Sequence, residues 1–522
     1  MELDARASTA GPEGGELTED WSPRQRLVIV AAAGVAGCVL WLSGSRGVED
    51  LVPILLAAAA AAALAWLSPA KPVAAFGILF LVASISGFTV SSRLGNMRLE
   101  QPAIVAGYAA LLLAPSKLDL RRLRPLWPIG AAFGVYLACL GLSSLLFAPD
   151  RMDSLRMTFW TGLSMSGGLL ALLLLMRGSG RATDWILASG YVQAAVGIVC
   201  AVLFFTLGPV LLAGQQPAPG VTMPVSLSPK VFGLSWEANI YASLLAAVSI
   251  FGIDRFLSGS RSVGTLLVPI MVGAIALGVT RGAYVGLAAG LAVYLLLAAT
   301  PVRLWSRQTV RRVGVRGAVI VGSLAAGLLV SAILMQGGRP PTKPLDLTQP
   351  GWGRAAAAGA PGAGAQSSAT PTLNLAPVAD TVTFRLDRIP VALADVPMSP
   401  WIGLGANSFG QRHTDISQGA PDHIAILALA ALYEAGILGA AGLGIGFALA
   451  LLTLLKASRL RPNRGMIAAY AGALVCLLVA YETTNAINFA LIWLTAGAGL
   501  SATLRPLHSN DPVEGLAAAL PG

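Results

Sequence analysis

Side chains able to do chemistry are scarce in this chain, and most of them fall in one stretch. Residues 390–439 read PVALADVPMSPWIGLGANSFGQRHTDISQGAPDHIAILALAALYEAGILG, and Arg385 and Arg388 stand just ahead of them. The stretch brings together guanidinium groups, two imidazoles (His413 and His423), the carboxylates Asp395, Asp422 and Glu434, and the amide Asn407. Guanidinium groups hold anionic oxygens by paired, charge-assisted hydrogen bonds. Imidazole exchanges protons near neutral pH. Anion binding combined with proton transfer is the chemistry these residue types support. Each has a structural alternative: an outer-loop Arg contacts lipid headgroups, and His423 anchors the helix that starts there, with Asp422 as its N-cap. The glycines and prolines of PWIGLGANSFG serve turn geometry.

The elements that position these groups are membrane spans. Of 522 residues, 55% are hydrophobic and 11% charged, against about 25% charged in an average soluble domain. The net charge of +10 is read as loop charge that fixes orientation, not as a nucleic-acid surface. Cys38, Cys139, Cys200 and Cys476 all lie in apolar runs, so they form neither a disulfide framework nor a metal site.

Residues 1–22 are acidic and rich in Gly and Pro, a composition that cannot bury a core and predicts a disordered tail. The run 27–43 lacks a convincing small-residue cleavage site and is expected to be a retained span. Further runs fall at 51–67, 73–91, 103–114, 128–147, 159–176, 185–213, 238–253, 264–280, 283–300, 317–335, 437–455, 465–482 and 486–503. A crossing needs about 20 apolar residues, so the expected fold is an all-α polytopic membrane protein of about 14 transmembrane helices (12–14). The run 103–114 is the shortest.

With the N-terminus inside, twenty-one Lys and Arg fall in inner loops and seven in short outer loops. That bias predicts both termini in the cytoplasm. Residues 23–335 would carry eleven spans. One large outer loop, 336–423, follows: 336–380 is a Pro/Gly/Ala-rich linker, and 381–423 is an ordered, site-forming half. Residues 424–505 would form an interfacial helix and the last three spans, and 506–522 an inner tail. The run 424–455 would make a helix of about 48 Å, too long for a core of about 30 Å. A break is expected at Tyr433–Gly436, which would keep Glu434 out of the bilayer centre.

On these residues the chain resembles the O-antigen ligase and polymerase family of membrane glycosyltransferases. The resemblance rests on Arg385-LDRIPVALADVPMSPWIGLGANSFG, then His423, then Leu432-Tyr-Glu434-Ala-Gly436-Ile-Leu-Gly439. Thr280-Arg281-Gly282-Ala283 and Glu237-Ala238-Asn239-Ile-Tyr-Ala242 match two further motifs at span ends. It covers roughly residues 230–500. The chain departs from the pattern in one place: Ile424 follows the histidine, and Glu434 lies eleven residues beyond it, two more than usual. His413 is therefore the alternative to His423.

The resemblance implies transfer of a glycan from an undecaprenyl-diphosphate carrier to an acceptor hydroxyl on the outer face of the bacterial inner membrane. Arg281, Arg385 and Arg388 would hold the diphosphate, and His423 would be the general base. Asn239, Asn407 and Glu434 would line the substrate, with Glu482 and Asn485 of the turn YETTN as further candidates. Neither metal nor cofactor is implied, and direct displacement would invert the anomeric carbon. The acceptor would be lipid A core; a growing polysaccharide or a protein are the alternatives within the family. In another class, a secondary transporter or lipid flippase would also have many spans. Such proteins place ionisable groups or broken helices at mid-membrane, and these runs are nearly free of charge.

Overall fold

A computed structural model describes residues 51–92, 95–113, 120–177, 182–207, 231, 233–235, 237–258, 267–278, 280–298, 307–337, 386–414, 424–460 and 464–504. The run 27–43, the linker 338–385 with Arg385, and residues 415–423 with His423 lie outside the described residues.

The described chain is almost wholly helical. Its elements are α1 (Leu51–Ala70), α2 (Pro72–Ser84), the strands β1 (Thr89–Ser92) and β2 (Gly95–Arg98), α3 (Glu100–Leu113), α4 (Trp127–Leu146), α5 (Arg151–Arg177), α6 (Ala182–Leu207) and α7 (Ala238–Ser258). There follow α8 (Val268–Ile275), α9 (Arg281–Ala298), α10 (Arg307–Gly337), α11 (Arg388–Asp395), α12 (Ser408–Arg412), α13 (Leu427–Leu460), α14 (Arg464–Tyr481) and α15 (Ala490–Leu504). Among the described residues, eight helices are long and apolar enough to cross a membrane, and five shorter apolar helices accompany them. The chain is a multi-pass membrane protein; the total of about fourteen spans and the cytoplasmic termini remain expectations.

Two apolar runs depart from simple spans. The run 73–91 leaves its helix at Ser84, and β1 then pairs antiparallel with β2, Thr89 opposite Arg98 and Ser92 opposite Gly95. Thr89 and Val90 favour extended backbone. Gly87 lets the chain press on its neighbour, donating its N–H to the Leu234 carbonyl at 2.9 Å; a Cβ there would meet the Ser235 carbonyl oxygen at 2.6 Å. The run 264–280 is α8 followed by a 3₁₀ turn, Ala276–Gly278.

Small residues set how closely the spans approach. A Cβ on Gly290 of α9 would lie 2.5 Å from the Gly472 carbonyl oxygen of α14, and one on Gly472 would lie 2.6 Å from that of Gly290. Between α5 and α15, a Cβ on Gly168 would lie 2.7 Å from the Trp493 carbonyl oxygen. In lipid, helices gain little by hiding from their solvent, so close backbone packing supplies the attraction. Cys139 and Cys476 are buried and free within this packing.

Polar groups sort to the two ends of the bundle. At one end Arg255 pairs with Asp184 and donates to the Thr183 hydroxyl, Tyr294 donates to Asp254 at 2.9 Å, and Arg316 donates to the Phe256 carbonyl at 2.9 Å. The hairpin, the loop after α4, the α11–α12 segment and the turn after α14 gather at the other.

Candidate functional site

The glycine turn and the long helix beyond it form one unit. Within α13, Gly436 has φ 67° and ψ −173°, a conformation that breaks the helix and that only glycine adopts readily. The break falls within the expected Tyr433–Gly436 step. It strips backbone groups of their helical partners, and in a nonpolar setting each such group must find another. Residues 400–405 supply them. Leu404 and Gly405 donate to the carbonyls of Tyr433 (2.8 Å) and Glu434 (3.0 Å), while Ile437 and Leu438 donate to those of Pro400 (2.8 Å) and Trp401 (3.1 Å). At about 1 kcal/mol net each, these four bonds contribute roughly 4 kcal/mol. Gly403 and Gly405 take φ of 83° and 102°, so the turn needs glycine at both.

Around this unit the side chains interlock. The Glu434 carboxyl, partly buried, accepts the Asn407 backbone N–H at 3.0 Å. Asn407 is left-handed (φ 55°) and donates its side-chain amide to Asp153 at 3.2 Å. Gln411 reaches the same Asp153 oxygen at 3.1 Å, and Arg156 pairs with Asp153 from one turn on. His413 Nε2 lies 2.7 Å from Asp395 Oδ2, and that oxygen also accepts the Tyr433 hydroxyl at 2.8 Å. The ring of Phe409 packs against both His413 and Tyr433. Arg388 begins α11 and is only 4% exposed, and Ala392 of the same helix packs with Leu404, Phe409 and Tyr433.

A second group of residues surrounds Arg281. It is the exposed first residue of α9, where free backbone N–H groups and the helix dipole favour an anion. Gly282 beside it has no room for a side chain, since a Cβ would lie 2.0 Å from the Thr483 hydroxyl. Glu237 accepts the Thr484 hydroxyl and, at 3.3 Å, the Asn239 amide; the Thr280 hydroxyl lies 3.2 Å from Asn239 Oδ1. Asn239 is thus held against Thr280, the residue before Arg281.

The turn after α14 joins the two groups. Thr483 and Thr484 face the Arg281 group, and Glu482 accepts the Ala428 N–H at 3.1 Å, near the start of the helix that carries Glu434. Arg98 grips this turn from the hairpin: Nη1 donates to the Asn488 carbonyl at 2.7 Å, and the guanidinium lies 3.7 Å over the Phe489 ring. Burial draws the pKa of Arg98 below the ordinary arginine value, and the Glu100 carboxylate, 3.9 Å away, opposes that.

Of the residues expected from sequence, the structure brings Asn239 to Thr280, the residue before Arg281, joins Asn407 to Glu434, and buries Arg388 at the start of α11. Arg385 and His423 lie outside the described residues. Sequence reading missed Asp153 and Arg98. By sequence Arg98 is one of seven outer-loop charges, and the signal for its partner is Glu100 two residues on, at the start of a short apolar run.

Residues 266–444, about a third of the chain, match the family model described as O-antigen ligase. No curated protein matches the chain. The matched residues include Arg281, Arg388, the glycine turn and Glu434, and stop before the turn after α14.

Proposed function

We propose that the chain, whose residues 266–444 match the O-antigen ligase family model, is a membrane protein of that family and transfers a glycan from undecaprenyl diphosphate to an acceptor hydroxyl, lipid A core in the first instance, at the outer face of the inner membrane. One observation supports this reading: the turn of residues 400–407 threads the break at Gly436 and, within the matched residues, ties Asn407 to Glu434.

Arg281, Arg385 and Arg388 hold the diphosphate, and the N–H groups at the start of α9 add to that field. The acceptor oxygen bonds to the anomeric carbon as the bond from that carbon to the diphosphate oxygen breaks. His423 takes the hydroxyl proton, undecaprenyl diphosphate leaves, and attack from the opposite face inverts the anomeric centre. The guanidinium groups supply the positive charge, so the reaction proceeds without metal.

Purified protein in detergent is given undecaprenyl-diphosphate glycan and lipid A core, with and without EDTA. Wild type should consume donor equally in both, and Arg281→Ala should transfer none while remaining folded. Failure of wild type to consume any donor across several glycans and acceptors overturns the reading. Loss of transfer in EDTA removes its metal-independent part.

A further inference from the structure

Arg98 stands outside the family match and outside every role assigned above, yet it donates to the backbone of the turn that touches both halves of the candidate site. It ends β2, and its backbone N–H donates to Gln101 Oε1 at 2.9 Å, which fixes the residue at the entry to α3. Its guanidinium satisfies the Asn488 carbonyl and covers the Phe489 ring.

The turn makes its own backbone bonds, the Asn485 N–H to the Tyr481 carbonyl at 2.8 Å among them, and Arg98 ties it to the hairpin. Asn485 takes a left-handed φ of 44°, and the side-chain oxygens of Asn485 and Asn488 are buried without a hydrogen-bond partner among the described residues. Such a turn holds its shape only where its surroundings over-determine it. From it, Thr483 packs on Gly282 next to Arg281, Thr484 bonds Glu237, and Glu482 bonds the Ala428 N–H. A shift of the turn therefore moves the start of α9 and the start of α13 together.

Glu100 is fully buried, and neither carboxyl oxygen has a hydrogen-bond partner among the described residues. Its close charged partner is Arg98 at 3.9 Å. A buried carboxylate costs several kcal/mol unless a countercharge stands by, so Arg98 alone cannot be removed cleanly. The pair has to be neutralised together.

We propose that Arg98 is a positioning residue for the diphosphate site: through the turn of residues 481–489 it holds Arg281 and the start of α13 in register. The inference rests on the proposed transfer reaction for its catalytic consequence, and on contacts alone for its structural one. Lysine cannot substitute, because a point charge loses the planar contact with Phe489.

The test compares wild type, Arg98→Lys and the charge-neutral double variant Arg98→Gln with Glu100→Gln, all as full chains in detergent. Amide hydrogen exchange is followed at residues 280–284 and 426–430, alongside steady-state transfer from undecaprenyl-diphosphate glycan. Exchange should rise about 10-fold or more at both segments in the double variant. Turnover should fall on the order of 30-fold with donor KM within about threefold, because misplacing a positioned group by about 1 Å can cost 100-fold. Arg98→Lys should recover less than a third of the lost turnover. Unchanged exchange at either segment in a folded variant overturns the proposal whatever the activity, as does unchanged turnover where exchange has risen. If exchange rises as expected but wild type transfers no donor, the positioning role stands and the transfer reading falls.

Discussion

Asn407 donates its backbone N–H to the Glu434 carboxyl at 3.0 Å, tying the end of the glycine turn to the helix that the turn crosses. The acceptor can be an amide oxygen as well as a carboxylate. Glu434→Gln should unfold within a few degrees of wild type, whereas Glu434→Ala should lose about 1–3 kcal/mol, read by chemical denaturation in detergent. A folded Glu434→Gln protein as inactive as the Ala variant would give the carboxylate a chemical role.

Gly436 tolerates no side chain. A Cβ would lie 2.4 Å from the Ile402 nitrogen and the Trp401 carbonyl carbon, with φ at 67°. Backbone atoms cannot swing aside. Gly436→Ala should cost on the order of 3 kcal/mol and sharply reduce the yield of monodisperse protein on size exclusion. Wild-type yield and melting temperature would show that the turn does not thread the break.

The α9–α14 seam is similarly strict. Gly290→Val would press a branched side chain on the Gly472 carbonyl oxygen, and overpacking of this kind costs about 1–3 kcal/mol. The expected result is a lower melting temperature with residual activity per folded molecule unchanged. Gly444, with nothing within 4 Å of its would-be Cβ, is the control: Gly444→Ala should leave the melting temperature within a degree or two.

The two histidines of residues 390–439 are separated by the roles expected of them. His413 is engaged through Nε2 with Asp395, so His413→Gln should lower turnover less than about 10-fold. His423→Gln should lower it on the order of 100-fold, the usual scale for losing a general base, with donor binding retained. The reverse ranking in a transfer assay would move the base to His413.

Arg281 is asked for geometry as well as charge. Arg281→Lys should restore less than a tenth of wild-type transfer, since a single ammonium cannot make paired bonds to phosphate oxygens. Recovery to near wild-type rates would reduce Arg281 to a general positive charge.

The sequence alone determined that this chain lives in a membrane, because a run of apolar residues and a bias of Lys and Arg are local properties that no neighbour has to complete. It also located the break in α13, since a run of thirty-two residues with one charge, Glu434, followed two residues on by Gly436, cannot cross as a straight helix. It gave the PWIGLGANSFG turn and the family to which it is similar, for motif spacing survives without coordinates. What it could not give was partnership. That Pro400 and Trp401 would receive the N–H groups released at Gly436, that Asp153 of a distant helix would hold Asn407, or that Arg98 would grip a turn 390 residues away depends on which span ends meet. In an apolar bundle those meetings are set by small residues on opposed backbones, such as Gly290 and Gly472. Their complementarity is a property of two surfaces together, and only the tertiary structure decided it.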